Sequence, residues 1–123
     1  MGTFSVEVTV VNPVDPTRHT TLDCLVDSVA SYSIIPGSTL ERLGIRPLRE
    51  DSFTVATGER RTWPMGGVEL HVDGRRGWSM AVFGPVETPA VLGAHGLEAL
   101  GLDIDPVHRR LIPIAPFAGE SRG

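Results

Sequence analysis

Asp73-Gly74 is the feature that most constrains this chain. It lies between the alternating run Val68-Glu69-Leu70-His71-Val72 and a second apolar run from Trp78 to Phe83. Asp-Gly between two such runs is among the strongest signals for a two-residue hairpin turn. The same period of two recurs from Phe4 to Val10, where Phe4, Val6, Val8 and Val10 alternate with Ser5, Glu7 and Thr9. That is the pattern of a strand half-buried in a sheet. Asn12-Pro13-Val14-Asp15-Pro16 supplies a turn, since its prolines fix φ and remove donors, and Thr20 to Val26 reads as the returning strand. Further strands are expected at Ser52–Ala56, from Arg60 onward and at Ala90–Leu92, with Leu102–Asp105 and Leu111–Ile114 closing the sheet. Thr57-Gly58-Glu59 reads as a hairpin tip. The expectation is an all-β domain.

Two short helices interrupt the strands. Pro36-Gly37-Ser38 predicts a helix capped by Ser38 that runs to Leu43 and stops at Gly44, and a second runs from about His95 to Leu100 and stops at Gly101. Leu40-Glu41-Arg42-Leu43-Gly44-Ile45 echoes Leu97-Glu98-Ala99-Leu100-Gly101-Leu102 at an offset of 57 residues. Apolar segments, Leu25-Val26-Asp27 and Val91-Leu92-Gly93, precede the two copies. The pattern is that of two related strand-turn-helix halves, or simply of two amphipathic helices with glycine stops. At 123 residues the chain is sized for one domain, expected over 1–114 with a flexible C-terminal tail at 115–123.

Composition removes whole classes of function. All eleven basic residues are arginine, so a phosphate-loop lysine and Schiff-base chemistry are excluded. They occur singly or in isolated pairs on a chain of net charge −4, which gives no basic stripe for nucleic acid. Cys24 is the single cysteine and the histidines lie far apart, so neither a disulfide framework nor a metal cluster of ordinary spacing can be written. No organic cofactor motif is present: Gly93-Ala94-His95-Gly96 lacks the spacing of a dinucleotide loop and is read as helix capping. Ser79 lacks a nucleophile-elbow context, Cys24 is read as a buried structural thiol, and Trp63, Trp78 and Phe83 as core or dimer-surface residues. No apolar run is long enough to span a membrane and the first residues have no signal-peptide pattern, so a cytoplasmic location is expected.

Asp27 is the residue that demands explanation, because it ends the apolar run Leu25-Val26. A carboxylate at the end of a buried strand is costly unless bonded or paired; a turn-forming Asp-Ser is the plain reading and a reactive acid the sharper one. Leu25-Val26-Asp27-Ser28-Val29-Ala30-Ser31 resembles the Asp-Thr/Ser-Gly-Ala-Ser segment of the retropepsin-like aspartic peptidases. The likeness continues in order through Thr57-Gly58, like that family's flap tip, and Val91-Leu92-Gly93, like its hydrophobic-hydrophobic-glycine segment. Leu100 to Pro113 resembles the closing segment of small bacterial-type members.

The resemblance implies a closed barrel of short antiparallel strands and a homodimer in which Asp27 from each chain activates water for peptide hydrolysis, with no cofactor or metal. It implies that Ser28 hydrogen-bonds across the dimer axis. Val29, Ala30, Ala56, Thr57 and Gly58 would hold an extended peptide that adds as a β-strand. The chain departs from the family at Val29, where the motif has glycine. A valine held in the glycine's conformation would store strain of about 1–3 kcal/mol. The competing expectation is therefore a catalytically impaired pseudopeptidase or a peptide-binding β-barrel interaction domain.

Overall fold

The computed structural model describes residues 4–114; the expected tail at 115–123 lies outside the described residues. The chain order is β1 (Ser5–Val11), β2 (His19–Val26), β3 (Ser33–Pro36), α1 (Gly37–Arg42), β4 (Arg49–Thr54), β5 (Arg60–Val72), β6 (Arg75–Gly84), β7 (Val91–Leu92), α2 (Ala94–Leu100), β8 (Leu102–Asp105) and β9 (Arg110–Pro113). Seven strands form one sheet in the order β1-β2-β7-β3-β6-β5-β4, and β1 also pairs with β5, which closes the barrel. Asp73 and Gly74 both take positive φ, 52° and 78°, and join Val72 directly to Arg75 as the sequence requires.

The two halves interlock. Each contributes a long hairpin, β1–β2 or β5–β6, followed by a short strand and a helix. β3 runs parallel to β6, β7 runs parallel to β2, and the two short strands meet antiparallel at Ile34 and Val91. Each short strand thus lies against the other half's hairpin, and the barrel, otherwise antiparallel, contains two parallel pairs. The 57-residue echo has a physical basis here: Leu40, Leu43 and Ile45 are buried, as are Leu97, Leu100 and Leu102. Gly44 and Gly101 both end their helices in left-handed conformation, at φ 76° and 68°. The strand that leads into the first helix is β3, however, and not Leu25-Val26.

Three further expectations are corrected. Ser38 does not cap α1: the helix begins at Gly37 with Pro36 as its N-cap and no side-chain capping bond, because β3 feeds straight into it. β8 and β9 do not close the barrel sheet but pair with each other as a separate two-stranded sheet. The segments read as Arg60 onward and Val68–Val72 are one 13-residue strand, continuous through Pro64 and Gly66-Gly67. It bridges β4 with its first half and β6 with its second.

The core is contributed by both halves, with Val8, Val10, Ile35, Leu40, Leu70 and Leu92 at 0–1% exposure. Each such side chain contributes about 1.5–3 kcal/mol through removal from water. Asn12, also buried, donates from Nδ2 to the Leu43 carbonyl at 2.9 Å and accepts from the Val14 and Asp15 amides, tying the β1–β2 turn to the end of α1.

Candidate active site

Asp27 follows the last residue of β2, where β2 runs beside β7. The Leu25 amide donates to the Ala90 carbonyl at 2.9 Å and the Asp27 amide to Leu92 at 3.1 Å, so the backbone stays anchored up to the carboxylate itself. Beyond it the chain turns away: Asp27 Oδ1 accepts the Val29 amide at 3.0 Å. One carboxylate oxygen therefore shapes the turn, as the plain reading of Asp27 anticipates, and the other makes no hydrogen bond among the described residues. Ser28 is exposed, and its hydroxyl likewise has no partner among the described residues.

The Asp27–Ser33 segment is fastened to the β7–α2 junction by four contacts. The Ala94 and His95 amides, first in α2, donate to the Ala30 and Ser31 carbonyls at 2.8 and 2.9 Å. The Gly93 amide donates to Ser33 Oγ at 3.0 Å, and Ser33 is wholly buried. Fourth, Gly93 packs so closely that a Cβ there would stand 2.7 Å from the Tyr32 carbonyl and 2.8 Å from the Ala30 oxygen. Its φ is −96°, so glycine is required for close approach and not for backbone conformation. The capping role expected for Gly93 is met by backbone alone.

Val29 carries no left-handed strain. Among the described residues only Asp73 and Arg109 combine a side chain with positive φ, so the expected cost of replacing the motif glycine is absent. Its side chain stands 91% exposed in the single chain. It lines, together with Ala30, a cleft of about 430 Å³ whose opposite side is Phe53, Val55 and Trp63 from the β4–β5 hairpin.

The tip of that hairpin is a tight turn in which the Gly58 amide donates to Val55 at 2.8 Å and the Val55 amide to Glu59 at 2.9 Å. Gly58 takes φ 89°, as a glycine closing such a turn must. Ala56, Thr57 and Gly58 are exposed at this tip and do not line the cleft, whereas Phe53 and Val55 just below them do. The sequence reading missed this because it sought the family's tip residues; the alternation of Phe53 and Val55 was the available signal. It also missed Tyr32, and Trp63, read as core or dimer surface, is half-buried and lines the cleft. Tyr32 stacks on His95 at 4.9 Å and meets Phe53 edge-on at 6.1 Å, and Phe53 meets Trp63 at 5.7 Å. This aromatic series runs from α2 to the β4–β5 hairpin. Phe83 is core, and Trp78 is 72% exposed.

Other ionisable groups play structural parts. The Cys24 thiol is pushed up to about 12 by burial and then by Asp23, which makes it inert. Asp105 is held below the ordinary carboxylate value, chiefly by hydrogen bonds from the His108 ring and amide, with Arg110 adding to them in the β8–β9 turn. The Ser79 hydroxyl donates to the Met80 carbonyl within its strand, at 3.2 Å. No group of three His, Cys, Asp or Glu side chains among the described residues could hold a metal ion. Among them no helix is long and apolar enough to cross a membrane.

The fold is retropepsin-like. The chain is similar to the solution structure of simian foamy virus (mac) protease at a TM-score of 0.56 and 18% identity, over 77% of this chain and 92% of that one. It is similar to EIAV protease complexed with an inhibitor at a TM-score of 0.58 and 19% identity, over 81% of this chain and 89% of that one. No family model and no curated protein matches the sequence.

Proposed function

We propose that this chain is one half of an aspartic peptidase. Two copies meet across a two-fold axis so that their Asp27 carboxylates face each other, the isologous arrangement in which one residue serves twice. As in aspartic proteases generally, carboxylates about 3 Å apart cannot both ionise and hold one proton between them. The ionised member takes a proton from water as the water attacks the scissile carbonyl, and the protonated member donates to the carbonyl oxygen. Ser28 hydroxyls, without partners among the described residues, bond across the axis and fix the pair. The β4–β5 hairpin closes over an extended peptide, with Ala56, Thr57 and Gly58 at its tip and Val29 and Ala30 beneath. The observation that carries this reading is an acid at the end of β2, on a turn pinned by backbone bonds to β7 and α2, whose next residues from Val29 to Tyr32 line a cleft under a hairpin. The peptidase domain spans 1–114 with 115–123 as its tail, in a cytoplasmic enzyme of the small bacterial type.

A second reading, a barrel that binds peptides without cutting them, is favoured by Val29, whose branched side chain lines the cleft two residues from Asp27. Incubation of wild type, Asp27→Asn and Val29→Gly with a diverse peptide library from acidic to neutral pH separates the two readings. Cleavage by wild type, lost in Asp27→Asn, is expected. Val29→Gly should raise kcat/KM by about tenfold, the scale of a methylene or two in a substrate pocket, since it removes bulk without relieving strain. A wild type that binds peptides inertly, beside an active Val29→Gly, would establish the second reading.

A further inference from the structure

Behind Tyr32 lies a cavity of about 860 Å³, larger than the cleft, bounded by the β1–β2 turn, the β5–β6 hairpin and α2. Val14, Trp78 and Met80 line it, and two of these are large apolar side chains left open to water, Val14 at 90% and Trp78 at 72% exposure. A concave apolar surface around an exposed tryptophan is a binding feature. Its charged groups, Arg49 and Glu98, are of opposite sign, and Arg49 is engaged by Asp51 at 3.1 Å. That balance favours a neutral, apolar occupant. Tyr32 is the wall common to cavity and cleft: its ring meets His95 of the cavity and Phe53 of the cleft. An extended strand advances about 3.3 Å per residue, so two or three residues carry a peptide past one aromatic side chain.

We propose that this groove is an accessory subsite that takes apolar residues of the same peptide beyond the cleft, with Trp78 as its platform. The proposal rests on the peptidase reading for the identity of the occupant. It makes this chain selective for peptides with apolar residues several positions from the scissile bond.

The test uses two dodecapeptides with a common Ala-Leu-Phe-Ala core, one carrying Leu-Ala-Val-Ala at both ends and the other Gly-Ser-Gly-Ser. The chain has two tryptophans, so Trp63→Phe in an Asp27→Asn background leaves Trp78 as the sole tryptophan, excited selectively apart from Tyr32 at the red edge of absorption. The apolar-ended peptide is expected to shift Trp78 emission to the blue saturably, and to bind about tenfold tighter than its Gly-Ser counterpart, as one aromatic anchor would give. With wild type, KM should differ between the peptides by the same factor, and Trp78→Ser should erase that difference. Equal response to both peptides, response to neither, or a shift that follows protein concentration without peptide would overturn the proposal, the last by revealing a second copy in the groove. A Trp78 shift with the apolar-ended peptide alone, but no cleavage, would sink the peptidase reading and leave the groove standing. Cleavage with equal KM and a silent Trp78 would do the reverse.

Discussion

Asp27→Asn is expected to reduce kcat/KM for peptide cleavage by at least about 10³-fold, the scale of general acid–base catalysis, with little change in stability. The substitution is nearly isosteric. An asparagine oxygen can still accept the Val29 amide now held at 3.0 Å, and the backbone bond from residue 27 to Leu92 is untouched. What is lost is the ability to take a proton from water and to share one with a second carboxylate. Circular dichroism and the unfolding midpoint should match wild type while turnover, followed by mass spectrometry of a cleaved peptide, disappears. Retained cleavage in a folded Asp27→Asn protein would remove Asp27 from the chemistry.

The second large effect is expected at Gly93. Gly93→Ala places a methyl 2.7 Å from the Tyr32 carbonyl and 2.8 Å from the Ala30 oxygen, both of them backbone atoms, so the Asp27–Tyr32 turn must move. Overpacking of this kind costs about 1–3 kcal/mol. Displacement of a catalytic group by an ångström costs about 10²-fold in rate. Stability and kcat should therefore fall together, and Ser33 Oγ loses its alignment with the Gly93 amide. Gly37→Ala is the control: a Cβ there meets Gly84 and Phe83 at 3.4–3.7 Å, ordinary contact, at the start of α1. It should leave both quantities within about 1 kcal/mol of wild type, as alanine favours a helix. Equal tolerance at Gly37 and Gly93 would show that the turn is not pinned as described.

The contrast between those two glycines shows what could be read in the chain and what could not. Alternation exposed β1 and the β5–β6 hairpin, because each buries one face against the core, and the proline-rich turn after β1 exposed β2 as the returning strand. The helix echo was legible because both copies bury the same three positions, in the helix and just past its end, and each helix is followed by a left-handed glycine. β3 was not legible: Ser33-Ile34-Ile35-Pro36 is too short to show a period, and its strand character comes from β6 and β7 on either side. The same non-local pairing hid the interlocking of the halves.

At the site, the Asp27 turn could be located from sequence, whereas the cleft's far side could not. Phe53 and Trp63 come together only through β4–β5 pairing, in which Asp51 faces Trp63 and Phe53 faces Arg61. The strain expected at Val29 was absent because the Asp27 carboxylate accepts the Val29 amide without forcing a left-handed backbone.

The central claim, that two chains each supply one carboxylate to a single active site, is tested most directly by mixing wild type with Asp27→Asn, allowing protomers to exchange, and measuring peptide cleavage against the wild-type fraction. If a working site needs Asp27 from both protomers, activity follows the square of that fraction, about a quarter at an equal mixture. Activity that falls in direct proportion, to about half at an equal mixture, would mean that each chain carries a complete site and would contradict the paired-acid reading.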